Sequence, residues 1–261
     1  MSEHDTDTPL PREAPTDTRA LWISDPRWEG DPDFAHGMTT RHFPPSAMTF
    51  EERISAIRVG LGMTDAVSVL MDQVHGARVA WVGERSRQRA ENQVIRLPDT
   101  DAVITNQPGL LLHVSTADCV PILAIDRTRR IIGAAHAGWR GTVSKIAAKL
   151  MREMNRRGAD LERTEVWLGP SIGFCCYEVG EDVLKRFKAI NNWWPAIHLT
   201  KRRIDLALVN RLQIARSGVP PDSITSSRLC THCRSDLLFS HRAEPTNPSR
   251  MLAVIGLRPQ S

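Results

Sequence analysis

The chain has 261 residues, 41% of them hydrophobic and 25% charged, with a formal net charge of +4 and a mean hydropathy of −0.30. These proportions exclude a collagen-like, wholly disordered or membrane-embedded chain and suit a globular protein that can bury a core without disulfides. The 34 basic residues are scattered, and one tyrosine and six phenylalanines leave few aromatics for base stacking, which argues against nucleic-acid binding.

In chain order, Met1 to Ala20 is acidic, rich in Pro and Thr, and lacks the basic and apolar stretches of a secretory signal. Residues 1–30 are expected to be a disordered tail ahead of a single domain over 31–261. Short β-like runs follow at Ala66–Leu70, Arg78–Val82, Ala102–Thr105, Leu110–Ser115, Val120–Ile125, Ile131–His136, Glu165–Gly169 and Met251–Leu257, each bounded by Gly, Pro, Asn or Asp. A helix is expected after Gly141, capped by Thr142, because Val143, Ile146, Ala147, Leu150, Met151 and Met154 repeat at helical spacing and Gly158 suits its end. A second helix runs from about Asp205 to Ser217, with Leu206, Val209 and Leu212 on one face. Many strands with few, separated helices predict an α+β or layered α/β fold and not a regular βαβ repeat.

No apolar run approaches the twenty or so residues of a membrane span. With an odd count of five cysteines and no export signal, the expected compartment is a reducing cytoplasm in which the thiols stay free for chemistry or metal.

Three segments carry chemistry: Gln73-Val74-His75-Gly76, Thr116-Ala117-Asp118-Cys119-Val120-Pro121, and Ala134-Ala135-His136-Ala137-Gly138-Trp139-Arg140-Gly141-Thr142. Each puts a His or Cys at a strand terminus beside small residues that let backbone or ligand approach. Two imidazoles and a thiolate form a three-ligand set for a catalytic zinc with one position open. The residues stand 44 and 17 positions apart, a spacing that matches no metal motif, and they read equally as a small buried thiol and histidines bonded to carbonyls.

These segments, together with Gly169-Pro170-Ser171-Ile172-Gly173, Cys176-Tyr177-Glu178-Val179-Gly180, Cys230-Thr231 and Phe239-Ser240, resemble the bacterial YfiH family over roughly residues 33–258, with His136-Ala137-Gly138-Trp139-Arg140-Gly141 the most specific part. That family has been labelled polyphenol oxidase or laccase-domain protein, and more recently purine nucleoside phosphorylase. The resemblance implies an α/β/β/α sandwich related to cysteine-hydrolase-like toxins and a zinc held by His75, Cys119 and His136. It also implies phosphorolysis of adenosine, inosine and methylthioadenosine, and deamination of adenosine. The partners would then be a nucleoside and phosphate.

Phosphorolysis needs phosphate held in place and the departing base stabilised. Arg41 and Arg140 are the phosphate-binding candidates because a guanidinium donates paired hydrogen bonds, with the start of the helix near Thr142 adding backbone donors. The structural alternatives are that Arg140 tethers its own turn and Arg41 is a surface charge. Deamination needs a carboxylate to move protons. Asp118 is nearest in sequence and is taken as catalytic with Cys119 and Arg140, although an extended backbone would turn it away from Cys119 to orient a loop. Glu178 is the remoter candidate.

Other readings use the same atoms. Cys119 and His136 can form the nucleophile and base of a metal-free cysteine hydrolase. Two His and one Cys can also take copper, in keeping with the oxidase label, but no His-X-His pair of the multicopper type is present. Editing of peptidoglycan precursors, or a binding protein whose site no longer turns over, are further alternatives. Departures from the family pattern feed the last of these: His42-Phe43-Pro44-Pro45-Ser46 replaces a glycine-rich stretch, Lys145 stands where Gly is usual, and His241 replaces Tyr. Cys230-Thr231-His232-Cys233 resembles half a zinc ribbon, with Cys175-Cys176 as its only possible complement. Adjacent cysteines lack the usual spacer, so a four-cysteine site is not expected and Cys233 is read as incidental. Trp193-Trp194 is read as core, pocket wall or self-association surface.

Overall fold

A computed structural model describes residues 21–43, 48–190, 196–198 and 202–259; the 44–46 stretch and the Trp193-Trp194 pair lie outside the described residues. All eight anticipated strands are present to within two residues, and alternating burial explains how they are layered. In β2 (Phe34–Thr39), Phe34 and Met38 join a core between two sheets, while Ala35 joins a separate core on the other face.

One mixed sheet has the order β1 (Trp22–Ile23), β2, β14 (Met251–Leu257), β7 (Leu110–Thr116), β3 (Val67–Met71), β5 (Val94–Leu97). The other runs β13 (Ile224–Ser226), β10 (Thr164–Leu168), β8 (Val120–Asp126), β9 (Ile131–Ala137), β6 (Ala102–Thr105), β4 (Val79–Trp81). A small antiparallel pair, β11 (Ile197–His198) and β12 (Arg203–Ile204), lies outside both. Val69, Leu112, Val114, Ala253 and Ile255 of the first sheet meet Leu123, Ile125, Ile132, Ala134 and Trp167 of the second. The helix α1 (Phe50–Gly60) covers the outer face of the first sheet through Ile54 and Ile57. The outer face of the second sheet packs under α4 (Ile146–Arg156), α5 (Glu181–Ala189) and α6 (Leu206–Arg216). The layers therefore run α/β/β/α. The remaining helices, α2 (Glu84–Arg87) and α3 (Trp139–Val143), are short.

Ile146, Ala147, Leu150, Met151 and Met154 are fully buried on α4, and Gly158 (φ +99°) ends it in the left-handed turn that favours glycine. The expected start of that helix is wrong. Helical turns begin at Trp139 after Gly138, and the axis breaks at Lys145, which sits at φ 61°, ψ 42°. Thr142 caps nothing: it is buried inside α3, where its hydroxyl accepts from Asn210 Nδ2 (3.0 Å) and its carbonyl from Gln213 Nε2 (2.9 Å). Those contacts rotate α6 so that Asn210 and Gln213 are buried and Leu212 is only partly so. Asp205 caps α6 by accepting from Leu208 N at 2.8 Å.

Residues 21–30, included in the expected tail, form part of the fold. Trp22 and Ile23 pair with Thr39 and Met38, and Trp28 is 1% exposed between the sheets. Three elements absent from the sequence reading have local signals: β2, α1 with a Thr49/Glu52 capping box, and α5 with Glu181 and Asp182 in its first turn. No described helix is long and apolar enough to cross a membrane.

Candidate metal centre and its cavity

His75 lies in the loop after β3, Cys119 immediately before β8, and His136 near the end of β9. β8 and β9 are paired, with Val120 opposite Ala137 and Pro121 opposite His136, so the ladder itself brings the thiol and one imidazole together. Cys119 Sγ and one ring nitrogen of each histidine lie within 4.8 Å of one another, and the two rings meet edge to face with centroids 4.8 Å apart.

A residue absent from the sequence reading assembles this group. Asp101, fully buried just before β6, accepts from the backbone N–H groups of Val74 (3.3 Å), His75 (3.0 Å) and Gly76 (2.7 Å), and its Oδ1 lies 2.9 Å from His136 Nδ1. It thereby holds His75 in a left-handed backbone conformation (φ 59°) and fixes the His136 ring, leaving Nε2 for a metal. Burial acts to raise the Asp101 pKa, but the bonds from His136 and the backbone outweigh it and hold the carboxyl below its ordinary value. His136 is also buried, which favours its neutral form. Asp101 and Cys119 override that and lift it to about 9. Cys119 responds in kind: burial opposes its ionisation, yet the two histidines bring it down to about 7.

Space is as tightly set as charge. A Cβ on Gly138 would stand 2.9 Å from both Cys119 Sγ and His75 Cδ2, and one on Gly141 would stand 2.9 Å from the Gly76 carbonyl. The donor set fits a metal: two imidazoles and a thiolate converge, one imidazole is oriented by a carboxylate, and His75 remains exposed on the open side.

The three residues stand in the wall of a cavity of about 710 Å³ that is also lined by Gln73, Asp118, Trp139, Arg140, Tyr177, His241, Arg242 and Arg250. Arg140 stacks over its neighbour Trp139 at 4.3 Å, and no ion pair holds it among the described residues. Asp118 faces the same space, but its carboxylate is engaged: Oδ1 accepts from Thr231 Oγ1 (2.5 Å) and Oδ2 from Arg242 N (2.7 Å), while its carbonyl accepts from Ile172 N (2.9 Å). The segment is not extended, as Asp118 sits at φ 89°, and the side chain binds two loops together.

Several expected site groups lie elsewhere. Arg41 does not line the cavity; it donates to the Ser235 carbonyl, pairs with Glu244 at 3.1 Å and stacks on Phe239. Its role is to tie its own turn to the 235–244 segment. Glu178 is exposed and paired with Arg202 at 2.9 Å. The expected anion-binding helix start near Thr142 is missing too, since α3 has five residues and α4 opens on buried Ile146 and Ala147. Tyr177, Arg242 and Arg250 were not singled out as cavity residues from the sequence, because each comes from a loop far along the chain from the ligands.

The family described as "Multi-copper polyphenol oxidoreductase laccase" matches residues 38–258. "Adenosine deaminase RL5" from an unknown prokaryotic organism is 37% identical over 210 residues, covering 77% of this chain and 78% of that protein. "Purine nucleoside phosphorylase YlmD" of Geobacillus stearothermophilus is 33% identical over 256 residues, covering 88% of this chain and 93% of its own. The crystal structure of the Bacillus licheniformis hypothetical protein YfiH superposes with a TM-score of 0.75 at 30% identity, covering 86% of this chain and 93% of that one. A match over most of the domain, with the fold and the convergent His/Cys/His group in place, makes this chain a member of the laccase-like YfiH family, whose relatives include proteins named as nucleoside-processing enzymes.

Proposed function

We propose that the cavity performs zinc-dependent chemistry on purine nucleosides: phosphorolysis of adenosine, inosine and methylthioadenosine, with deamination of adenosine as a second activity, in the cytoplasm. The observation that carries this reading is the convergence of His75, Cys119 and His136 on the wall of a cavity that also presents Arg140, Arg242 and Arg250. The names of the relatives, an adenosine deaminase and a purine nucleoside phosphorylase, support the substrate class. A zinc held by the three residues would supply a Lewis acid and lower the pKa of a bound water toward neutrality.

The chain's own groups supply the rest. Arg140, stacked over Trp139, offers a planar fork to phosphate, and Arg242 and Arg250 add cationic groups to the cavity lining. Cys119 serves as a ligand and Asp118 as a positioning residue that sets the loops carrying Ile172, Thr231 and Arg242. Copper can occupy a His/Cys set, yet among the described residues no further histidine cluster provides the additional centres of a multicopper oxidase.

A second reading has one observation in its favour. Without metal, Cys119 at about 7 beside His136 at about 9 is a thiolate–imidazolium pair suited to a cysteine hydrolase. Incubating purified protein with adenosine, with and without phosphate, separates the readings. Adenine with ribose 1-phosphate, formed only when phosphate is present and abolished by His136→Ala and by chelation, supports the phosphorylase. Inosine alone reports deamination. Absence of both products overturns the nucleoside reading and leaves precursor editing or a binding role.

A further inference from the structure

A second group of sulfurs lies outside the ligands described above. Cys175, Cys176, Cys230 and Cys233 come from two segments more than fifty residues apart, yet their Sγ atoms all lie within 4.8 Å of one another. The Cys175–Cys233 and Cys176–Cys233 separations are 3.6 and 3.4 Å. Four thiolates around a zinc ion at 2.3 Å define a tetrahedron with edges of about 3.8 Å; the two separations fall about 0.2 and 0.4 Å short of that edge, and the whole group stays within 4.8 Å. All four cysteines are free.

The expectation that adjacent cysteines cannot face one metal fails for a local reason. It holds in an extended strand, where neighbouring side chains point to opposite faces. Cys175 and Cys176 instead lie in a tight turn, closed by the N–H groups of Cys176 and Tyr177 donating to the Gly173 carbonyl (3.0 Å each). On the other segment, Arg234 N donates to the Cys230 carbonyl (3.0 Å), a helix-like turn that puts Cys230 and Cys233 on one side with the two-residue spacer of zinc-binding pairs. Cys233 is thus part of the group and not incidental.

Two further features suit a cation here. Gly173 N donates to Cys230 Sγ (3.2 Å), the kind of backbone bond that supports a thiolate ligand. Gly173 also leaves room: a Cβ there would meet Cys175 Sγ at 3.2 Å and Cys230 Cβ at 3.1 Å. The two segments are otherwise joined by the bridge between Ser171 and Cys230 and by Thr231 N donating to the Ser171 carbonyl (3.0 Å). They also carry Ile172, Tyr177 and Thr231, which line the cavity or hold Asp118.

We propose that Cys175, Cys176, Cys230 and Cys233 form a second, structural metal site that takes zinc or a similar thiophilic divalent cation and clamps the two loops behind the cavity. Uptake displaces the four thiol protons to solvent and changes no oxidation state. With every position filled by sulfur, the site has no open face and takes no part in turnover.

Metal content of the full chain, purified under reducing conditions with zinc present, tests this. The expected result is about two zinc ions per chain in the unsubstituted protein and about one in each of Cys233→Ser and His136→Ala. Replacing zinc with Co2+ provides a readout that does not depend on turnover. The intense thiolate-to-cobalt absorption of a four-sulfur site should persist in His136→Ala and be lost in Cys175→Ser, a second variant in case Cys233→Ser fails to fold. The proposal is overturned if zinc content is unchanged in the cysteine variants, if Cys175, Cys176, Cys230 and Cys233 of the zinc-loaded native protein react with a thiol reagent whether or not Cys119 does, or if those cysteines pair as disulfides under those conditions. Loss of nucleoside activity alone would bear on the other centre and leave this result intact.

Discussion

His75, Cys119 and His136 stand at the ends of strands whose backbones are fixed by sheet pairing, and a buried carboxylate behind them sets both a loop and a ring. Cys175, Cys176, Cys230 and Cys233 stand on two turns joined by one isolated bridge and a few backbone bonds, and among the described residues no side-chain hydrogen bond from the sheets reaches them. The first group exists before any ion arrives, because strand register and Asp101 have already set its geometry. The second would draw its rigidity from the ion. The proposed open metal site would therefore lie where the fold is stiffest, and the proposed closed one where the fold needs a fastener.

Asp101 offers the sharpest way to break this contrast. An asparagine of nearly the same shape cannot accept from three backbone N–H groups and from His136 while presenting its own N–H donors. Asp101→Asn should lower zinc affinity at the His75 centre by about 10–100-fold, with turnover falling in parallel. The four-cysteine cluster should keep its metal. Competitive chelator titration of the two centres measures this, and equal weakening of both would mean that Asp101 supports the fold generally and not one centre.

Acid provides the next largest effect, and it arises in neither centre. His113 is fully buried on β7 with no partner for either ring nitrogen among the described residues, and burial pushes its pKa down to about 3. Burial likewise brings His36 to about 4, despite the opposing pull of Asp25. Both bind protons more weakly folded than unfolded, so their contribution is complete above about pH 6.5 and is lost as pH falls toward 4 and 3. Each histidine has a limiting slope of about 1.4 kcal/mol per pH unit across its window. Denaturant titrations between pH 7 and 4 on chelator-treated protein should show the decline, and His113→Leu should flatten it. An unchanged slope in that variant would place the acid sensitivity elsewhere.

What could be read from the sequence follows the same division. Strands and the apolar face of α4 were legible because periodicity is local: Ile146, Leu150 and Met154 announce their burial by spacing alone. His75, Cys119 and His136 could be offered as a ligand set from residue type alone, but their spacing matches no motif, since strand pairing and not sequence proximity brings His136 to Cys119, and the resemblance singled them out. Asp101 gave no signal, because its partners are 25 to 35 residues away and most of them are backbone N–H groups. Arg41 misled because a guanidinium that fits phosphate fits Glu244 and a carbonyl equally well. The four cysteines are discounted in the sequence because Cys175 and Cys176 lack the usual two-residue spacer, whereas the turn closed on the Gly173 carbonyl brings both sulfurs to the same group.

Asp118 links the two regions, and its removal is a smaller perturbation. Asp118→Ala deletes two hydrogen bonds to a carboxylate and should cost about 2–4 kcal/mol of stability after water replaces part of the loss. It should raise KM for nucleoside while leaving the shape of the pH–rate profile unchanged. Loss of one limb of that profile would instead make Asp118 a proton carrier.

The smallest expected effect isolates the joint between α3, which closes over the His75 centre, and α4, which packs on the second sheet. Lys145 at that joint is exposed and sits in the left-handed region, where an L side chain crowds its own backbone at a cost of about 1–2 kcal/mol. Glycine removes the crowding but is freer in the unfolded chain, which returns about 0.5–1 kcal/mol. Lys145→Gly should therefore stabilise the protein by about 0.5–1 kcal/mol, a rise in Tm of about 1–4 °C at this chain length. Gly138 and Gly141, not the strain at residue 145, give the His75 centre its clearance, so metal content and turnover should stay unchanged in the variant. A more stable protein with altered metal affinity would show that the kink sets the position of α3, and the stiffness attributed to the first centre would then depend on a strained lysine as well as on the sheet.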